Sequence, residues 1–401
     1  MSRVLFCLMM VLIACSRGDP DGGCGPSCST EPGPDGPPAS EDGTGPKEGD
    51  QRPAPGPEPE PDPVLNQDLM SGDPVLELAA TTLRDRAKAW YGESRHRCAV
   101  SCHTTIAFMR SHPLHDPESR EVAGDLIDII SERVRNWEDI RPFYPRQAER
   151  SMATEALLNT IALIHFDLRI DKAVSPLLCR SLDQMWARQR DDGGFPWLDF
   201  NLAPWEEDAA EAWGAAILST DLARLANHSP DLKVCSPETL NRHLKGLEKL
   251  HGYLRESFSN QNPHHQIWTF QADRHWKDDL LEDAEKEVFL EKLQARFLNH
   301  EGSFRVKDFG EGWGSMFYSY SGDMYMSSLV LEVMESSRSS VDLEPLRRLV
   351  RNQTVESPAL FDVRSLNRPG IGRNNRFFTD ANIAVWLRYQ LLSRQQDQAS
   401  D

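Results

Sequence analysis

From residue 74 to residue 394 the sequence repeats one physical signal: apolar residues return at three- and four-residue intervals, segment after segment. PVLELAATTLRDRAKAWY, ESREVAGDLIDIISERVRNW, AERSMATEALLNTIALIHF, EEDAAEAWGAAILSTDLARLA, PETLNRHLKGLEKLHGYLRESF and FTDANIAVWLRYQLLSR all show it, and so do shorter runs such as AVSCHTTIAFMRSH and HQIWTFQADRHW. Strand-like alternation is almost absent. A chain patterned this way buries its apolar residues only by packing helix on helix, so the expected fold class is all-α, with about twelve helices. Helix starts are marked as well: Ser236 precedes Pro237, an N-cap residue followed by proline at the first helical position.

The two ends differ from this pattern. Residues 1–14 carry Arg3 and then an unbroken apolar run from Val4 to Ala14, the pattern of an export signal. The run is shorter than the roughly 20 residues that span a bilayer. Leu12-Ile13-Ala14-Cys15 resembles the lipobox of bacterial lipoproteins, which implies cleavage before Cys15 and acylation of that cysteine. Two or more acyl chains anchor a protein stably. Ser16 after it, by the same resemblance, implies sorting to the outer membrane of a Gram-negative cell envelope.

Residues 15–72 form the expected tether. About half of the chain's 27 prolines fall between Ser16 and Pro63, with many glycines and almost no large apolar side chain. Such a segment cannot bury enough surface to offset its ordering entropy and is expected to be disordered. Residues 73–396 are the expected globular domain, with a disordered tail at 397–401. The net charge of −18 argues against nucleic acid as a partner and against flat docking on an anionic bilayer, so membrane attachment is assigned to the lipid alone. Eight cysteines are present; Cys7 leaves with the signal and Cys15 is lipidated. Export permits disulfides among the other six, and Cys179 with Cys235 is one available pair.

A repeat lies beneath the helical pattern. LDQMWARQRDDGGFPWLDF precedes EEDAAEAWGAAILSTDLARL, and LEKLQARFLNHEGSFRVKDF precedes SGDMYMSSLVLEVM. In both copies a helix ends in Ala-Arg, then an acidic residue, glycine and Phe195 or Phe304 lead to a loop and a helix of small and apolar residues. This unit resembles the repeats of squalene cyclases and protein prenyltransferases. The resemblance implies an α/α toroid of about six helical hairpins, and residues 182–226 and 290–336 carry its motif residues.

The chemistry of that family is not visible. Protonating an alkene requires a carboxylic acid held neutral, in a D-x-D-D motif that this sequence lacks. Asp278-Asp279-Leu280-Leu281-Glu282 resembles a diphosphate–Mg²⁺ motif, yet reads better as a solvated helix start. No prenyltransferase zinc site is recognisable, because no cysteine follows Cys235. What the repeats do offer is aromatic: Trp197, Trp205, Trp213, Trp313 and Tyr325, with Asp208 and Asp323, are candidates to line a cavity for an apolar, isoprenoid or glycan ligand. The competing reading makes such aromatics structural braces between hairpins.

One motif stands apart, RHRCAVSCHTTI at residues 95–106. Covalent haem c attachment uses C-x-x-C-H, two thiolates and an adjacent proximal histidine. Cys98, Cys102 and His103 supply the residue types, with one residue too many between the cysteines. The segment also resembles a C-x-S-C-H-T-T segment of uncharacterised bacterial proteins with toroid-like repeats, whose R-V-x-x-W partner is matched by Arg133-Val134-Arg135-Asn136-Trp137. If haem is attached, Met109, His112, His115 and Met152 are the candidate second axial ligands, and no metal beyond that iron at His103 is implied. A Cys98–Cys102 disulfide, a metal site joining His103 to His96 or His112, and plain packing stay open. The expected function is therefore an envelope lipoprotein carrying haem c for electron transfer or redox chemistry on a bound ligand. The alternative is a non-catalytic binding or scaffold lipoprotein, and an isoprenoid cyclase or transferase is disfavoured.

Overall fold

Helix starts show how local sequence sets this fold. Asp116, Ser175, Ser236 and Asn262 each accept a hydrogen bond from a backbone N–H three residues on, and each is followed by proline at the first helical position. The computed structural model describes residues 72–93, 100–102, 104–111, 116–200, 205–228, 232–299, 320–337, 342–344, 346–348, 350 and 374–400. All of them belong to one unit, Pro55–Asp401.

Eleven long or medium α-helices account for most of the described residues: α1 (Pro74–Glu93), α2 (Thr105–Ser111), α3 (Pro117–Arg135), α4 (Ala148–Phe166), α5 (Pro176–Trp186), α6 (Glu211–His228), α7 (Pro237–Ser257), α8 (Pro263–His275), α9 (Asp283–Asn299), α10 (Tyr320–Ser336) and α11 (Asn374–Ser400). No strand occurs among the described residues, so the all-α fold class holds. None of the described helices is long and apolar enough to cross a membrane.

Two of the expected boundaries move. The helix expected from Ala99 begins at Thr105, because Ser101 caps a turn: its carbonyl accepts from Ile106 N at 3.0 Å and from Thr105 Oγ1 at 3.1 Å. At the other end, α11 continues to Ser400, so residues 397–400, expected as a disordered tail, are helical; the Gln-rich run there contains no helix breaker.

The helices sort into two sets by how much of their surface is covered. α4 is buried nearly all round, with only Met152 partly open between Ser151 and His165, and α6 is buried from Ala212 to Leu225. α8 is buried from His264 to Asp273 and α11 from Asp380 to Tyr389. By contrast α7 buries one stripe, Thr239, His243, Gly246, Leu250 and Leu254, the spacing of a helix with one face on a core. Contacts among the covered helices run α2–α4–α6–α8–α10–α11 and return from α11 to α2, a closed circuit. α1, α3, α5 and α7 pack in series outside it.

Small residues permit the close approaches. A Cβ on Gly246 of α7 would lie 2.4 Å from the Trp186 ring, and one on Gly214 of α6 would lie 2.6 Å from the Trp197 ring. Trp197 also donates its indole N–H to the carbonyl of Trp205 at 2.7 Å. The expected pair Cys179–Cys235 is a disulfide, joining α5 to the residue before the N-cap of α7.

Candidate functional site

The inner circuit is not purely apolar, and its polar residues are what define a site. Each comes from a helix otherwise made of small and apolar residues: Arg110 in TIAFMRS, Asp221 in AAILSTDLARL, Arg388 in ANIAVWLRYQLL. Charged groups are buried in a core only when paired. Arg110 Nε meets Asp221 Oδ2 at 2.9 Å, and Arg224 Nη1 meets Asp221 Oδ1 at 2.7 Å. His165 Nε2 of α4 lies 3.1 Å from that same oxygen. The arginines hold the Asp221 carboxyl far below the ordinary carboxylate range, and burial brings the His165 imidazole down to about 4, so it is neutral. Arg388 of α11 donates to Glu332 of α10 at 2.6 Å and to Gln271 of α8 at 3.1 Å.

Arg110 and Arg388 converge on one ring. Their guanidinium carbons lie 5.3 Å and 4.8 Å from the centroid of Trp268, close enough for cation–π attraction to both. Trp268 donates its N–H to His264 Nε2 at 3.2 Å, and the Tyr325 hydroxyl sits 2.8 Å from that nitrogen. Burial raises the Tyr325 phenol and keeps His264 uncharged. Trp205 stands edge-on to both the Tyr325 and His264 rings. His264 and His265 are core residues in the first turn of α8, whose cap is Asn262.

Cys102, Arg110, Trp213, Trp268, Tyr325 and Arg388 line a cavity with about 40 Å³ of free space, closed further by Ile106, Ala384 and Val385. One water needs about 10–15 Å³ on this measure, so the space suits a few atoms. A larger surface groove of about 480 Å³ lies between α3, α4 and α5 and contains none of the candidate cavity or axial-ligand residues.

Cys102 is buried, 7% exposed, with Sγ 3.7 Å from Glu206 Oε1. Cys98, its partner in the disulfide weighed from the sequence, lies outside the described residues. Burial pushes the Glu206 carboxyl up to about 7, outweighing the opposing hydrogen bond from Cys102.

Of the aromatic candidates, Trp205, Trp213 and Tyr325 are brought together at the cavity. Trp197 is not: it is a brace on Gly214. Asp208 is not either; it lies at the surface, 2.6 Å from Arg150 Nη2, its side chain 77% exposed. Trp313 and the Asp323 side chain lie outside the described residues, as do Cys15, Cys98, His103, His112 and His115. Met109 is wholly buried in the core, and Met152 is half-buried against it. The cavity that Cys102 lines is far too small for a porphyrin, which needs the several hundred Å³ typical of cofactor sites. No group of histidines, cysteines and carboxylates spaced to hold a metal ion occurs among the described residues.

Arg110, Asp221, Trp268 and Arg388 were not among the residues expected from the sequence. For Arg110, Asp221 and Arg388 the signal was present: a charged residue inside a helical run rich in small and apolar residues. Compared with known proteins, the chain matches no family model and no curated sequence.

Proposed function

We propose that this chain is a lipid-anchored cell-envelope binding protein, in which an acylated Cys15 and a Pro/Gly-rich tether carry a helical domain that holds a small ligand at its centre. The observation that carries the reading is the closed circuit of buried helices around a cavity lined by Arg110, Arg388 and aromatic rings. That circuit also supports the α/α toroid that the repeats resemble. The Cys179–Cys235 disulfide accords with an oxidising compartment. The cavity volume of about 40 Å³ favours a molecule of a few heavy atoms over the isoprenoid and glycan ligands expected from the aromatic residues.

The test is membrane fractionation of the expressed full chain with a Cys15→Ser control, followed by native mass spectrometry. Retention in the outer membrane, lost in the control, and a small molecule bound to the folded chain are expected. A chain released equally with and without Cys15, or one that retains no ligand, overturns the reading.

A second reading stays attached to one observation, Cys102 beside His103 in the sequence. On this reading the chain bears covalent haem c on the side of residues 94–103 and acts in electron transfer. A Soret band with a covalent haem mass, both lost in Cys102→Ala, supports it, and a colourless full chain from a host with cytochrome c maturation excludes it.

A further inference from the structure

Buried hydrogen-bond donors without acceptors are costly, and two of them border the central cavity. Arg110 Nη2 and Trp213 Nε1 are both buried and have no partner in the protein. Both residues line the same space. Each orphan is a donor, so the missing partner is an acceptor. The charges point the same way. Among the described residues, Arg110 is paired with Asp221, which also takes Arg224, and Arg388 is paired with Glu332. His165 beside them is uncharged. Other core carboxyls are engaged elsewhere: Asp380 with Arg86 and Thr104, Asp273 with Lys286 and the backbone before α9. Glu206 contacts Cys102. Arg110 and Arg388 thus bring two guanidiniums to the edge of one small space.

We infer that the cavity binds the carboxylate of a small monocarboxylic acid, seated between Arg110 and Arg388 on Trp268 and accepting from Arg110 Nη2 and Trp213 Nε1. The guanidinium fork matches a planar carboxylate better than a spherical ion. About 40 Å³ admits formate or acetate and leaves no room for an alkyl chain of eight carbons. The cation–π contacts to Trp268 fix both guanidiniums in place before binding. Burial, with the neighbouring Arg224 and Arg388, brings the Arg110 guanidinium down to about 10, and a bound anion opposes that shift.

The inference rests on the binding reading above, and its test separates the two. The full chain in detergent, dialysed into a chloride-free zwitterionic buffer, is titrated with sodium formate, acetate, octanoate and chloride while melting temperature and calorimetric heat are followed. Formate and acetate should bind at one site per chain and raise the melting temperature. Octanoate and chloride should bind at least tenfold more weakly. Arg110→Lys keeps a cation for Asp221 but removes the unpartnered Nη2, and should weaken acetate at least tenfold in a chain that still melts cooperatively. Ala107→Leu, which fills the cavity edge without touching a charge, should abolish acetate binding. Chloride binding as tightly as acetate, or acetate binding unchanged in both variants, overturns the carboxylate assignment. A neutral molecule found in the folded chain, with no effect of acetate, sinks this inference while leaving the binding reading standing.

Discussion

Arg110 and Asp221 meet 2.9 Å apart with neither side chain open to solvent, joining α2 to α6 across the centre of the helical circuit. Asp221 also takes Arg224 and lies against His165, so one carboxylate serves three neighbours. Asp221→Asn would leave two buried guanidiniums without their counter-charge. Removing one member of a buried pair costs about 3–5 kcal/mol. The expected result is a large drop in the urea midpoint with no loss of helical circular dichroism at zero denaturant.

Gly214 and Gly246 predict a second class of effect. An added methyl would press on the rings of Trp197 and Trp186, both locked in the core. Overpacking of this kind costs about 1–3 kcal/mol. Gly214→Ala and Gly246→Ala should each lower the melting temperature measurably. If either is neutral, its tryptophan is not the brace described above.

These glycines also show what the sequence made legible. Helix positions and caps were readable because they depend on neighbours three or four residues away: Ser236 before Pro237 was recognised, and α4 falls on the expected residues 148–166. The repeat was readable because its residues recur in order. The circuit closing α11 on α2 was not, since nothing local records a contact across more than 250 residues. Arg110, Asp221 and Arg388 escaped for a related reason. A periodicity argument treats a charged residue in an apolar helix as an interruption, and only the pairing partner, on another helix, reveals its purpose. Asp208 went the other way: it sits near the aromatic motif in sequence and faces solvent in space.

The Cys179–Cys235 disulfide closes a loop of 56 residues. By the chain-entropy relation such a cross-link is worth about 4 kcal/mol. Replacing both cysteines by serine should destabilise the chain by that order, and reduction with dithiothreitol should reproduce the shift in the wild type but not in the double variant.

Glu206 should make the protein less stable in mild alkali. Its carboxyl is raised from 4.5 to about 7 by burial, so its contribution is complete below pH 4.5 and is lost as pH rises through 7. The shift corresponds to about 2 kcal/mol after allowing for the part of the side chain that reaches solvent. Glu206→Gln should therefore gain stability relative to wild type at pH 8, and the gain should vanish at pH 4.5. An equal difference at both pH values would mean that the carboxyl is ionised throughout.

The histidines act in the opposite direction. His165 and His243 are brought down from 6.5 to about 4 by burial, and His264 well below 6.5 by burial and the neighbouring His265. All three are neutral in the folded chain, yet the unfolded chain takes up their protons as pH falls below 6.5. Their share of the stability is thus fully present above pH 6.5 and is lost as pH falls toward 4, with a slope approaching about 4 kcal/mol per pH unit from the three rings, partly offset by Glu206 over the same range. Urea unfolding at half-unit steps from pH 7 to 4.5 reads the slope directly. His243→Gln, which keeps an acceptor for the Trp186 indole, should lower the slope by about one proton. A His243→Gln slope equal to that of the wild type would show that this ring carries a proton in the native core, and the hydrogen bond given to His243 would then have to be redrawn.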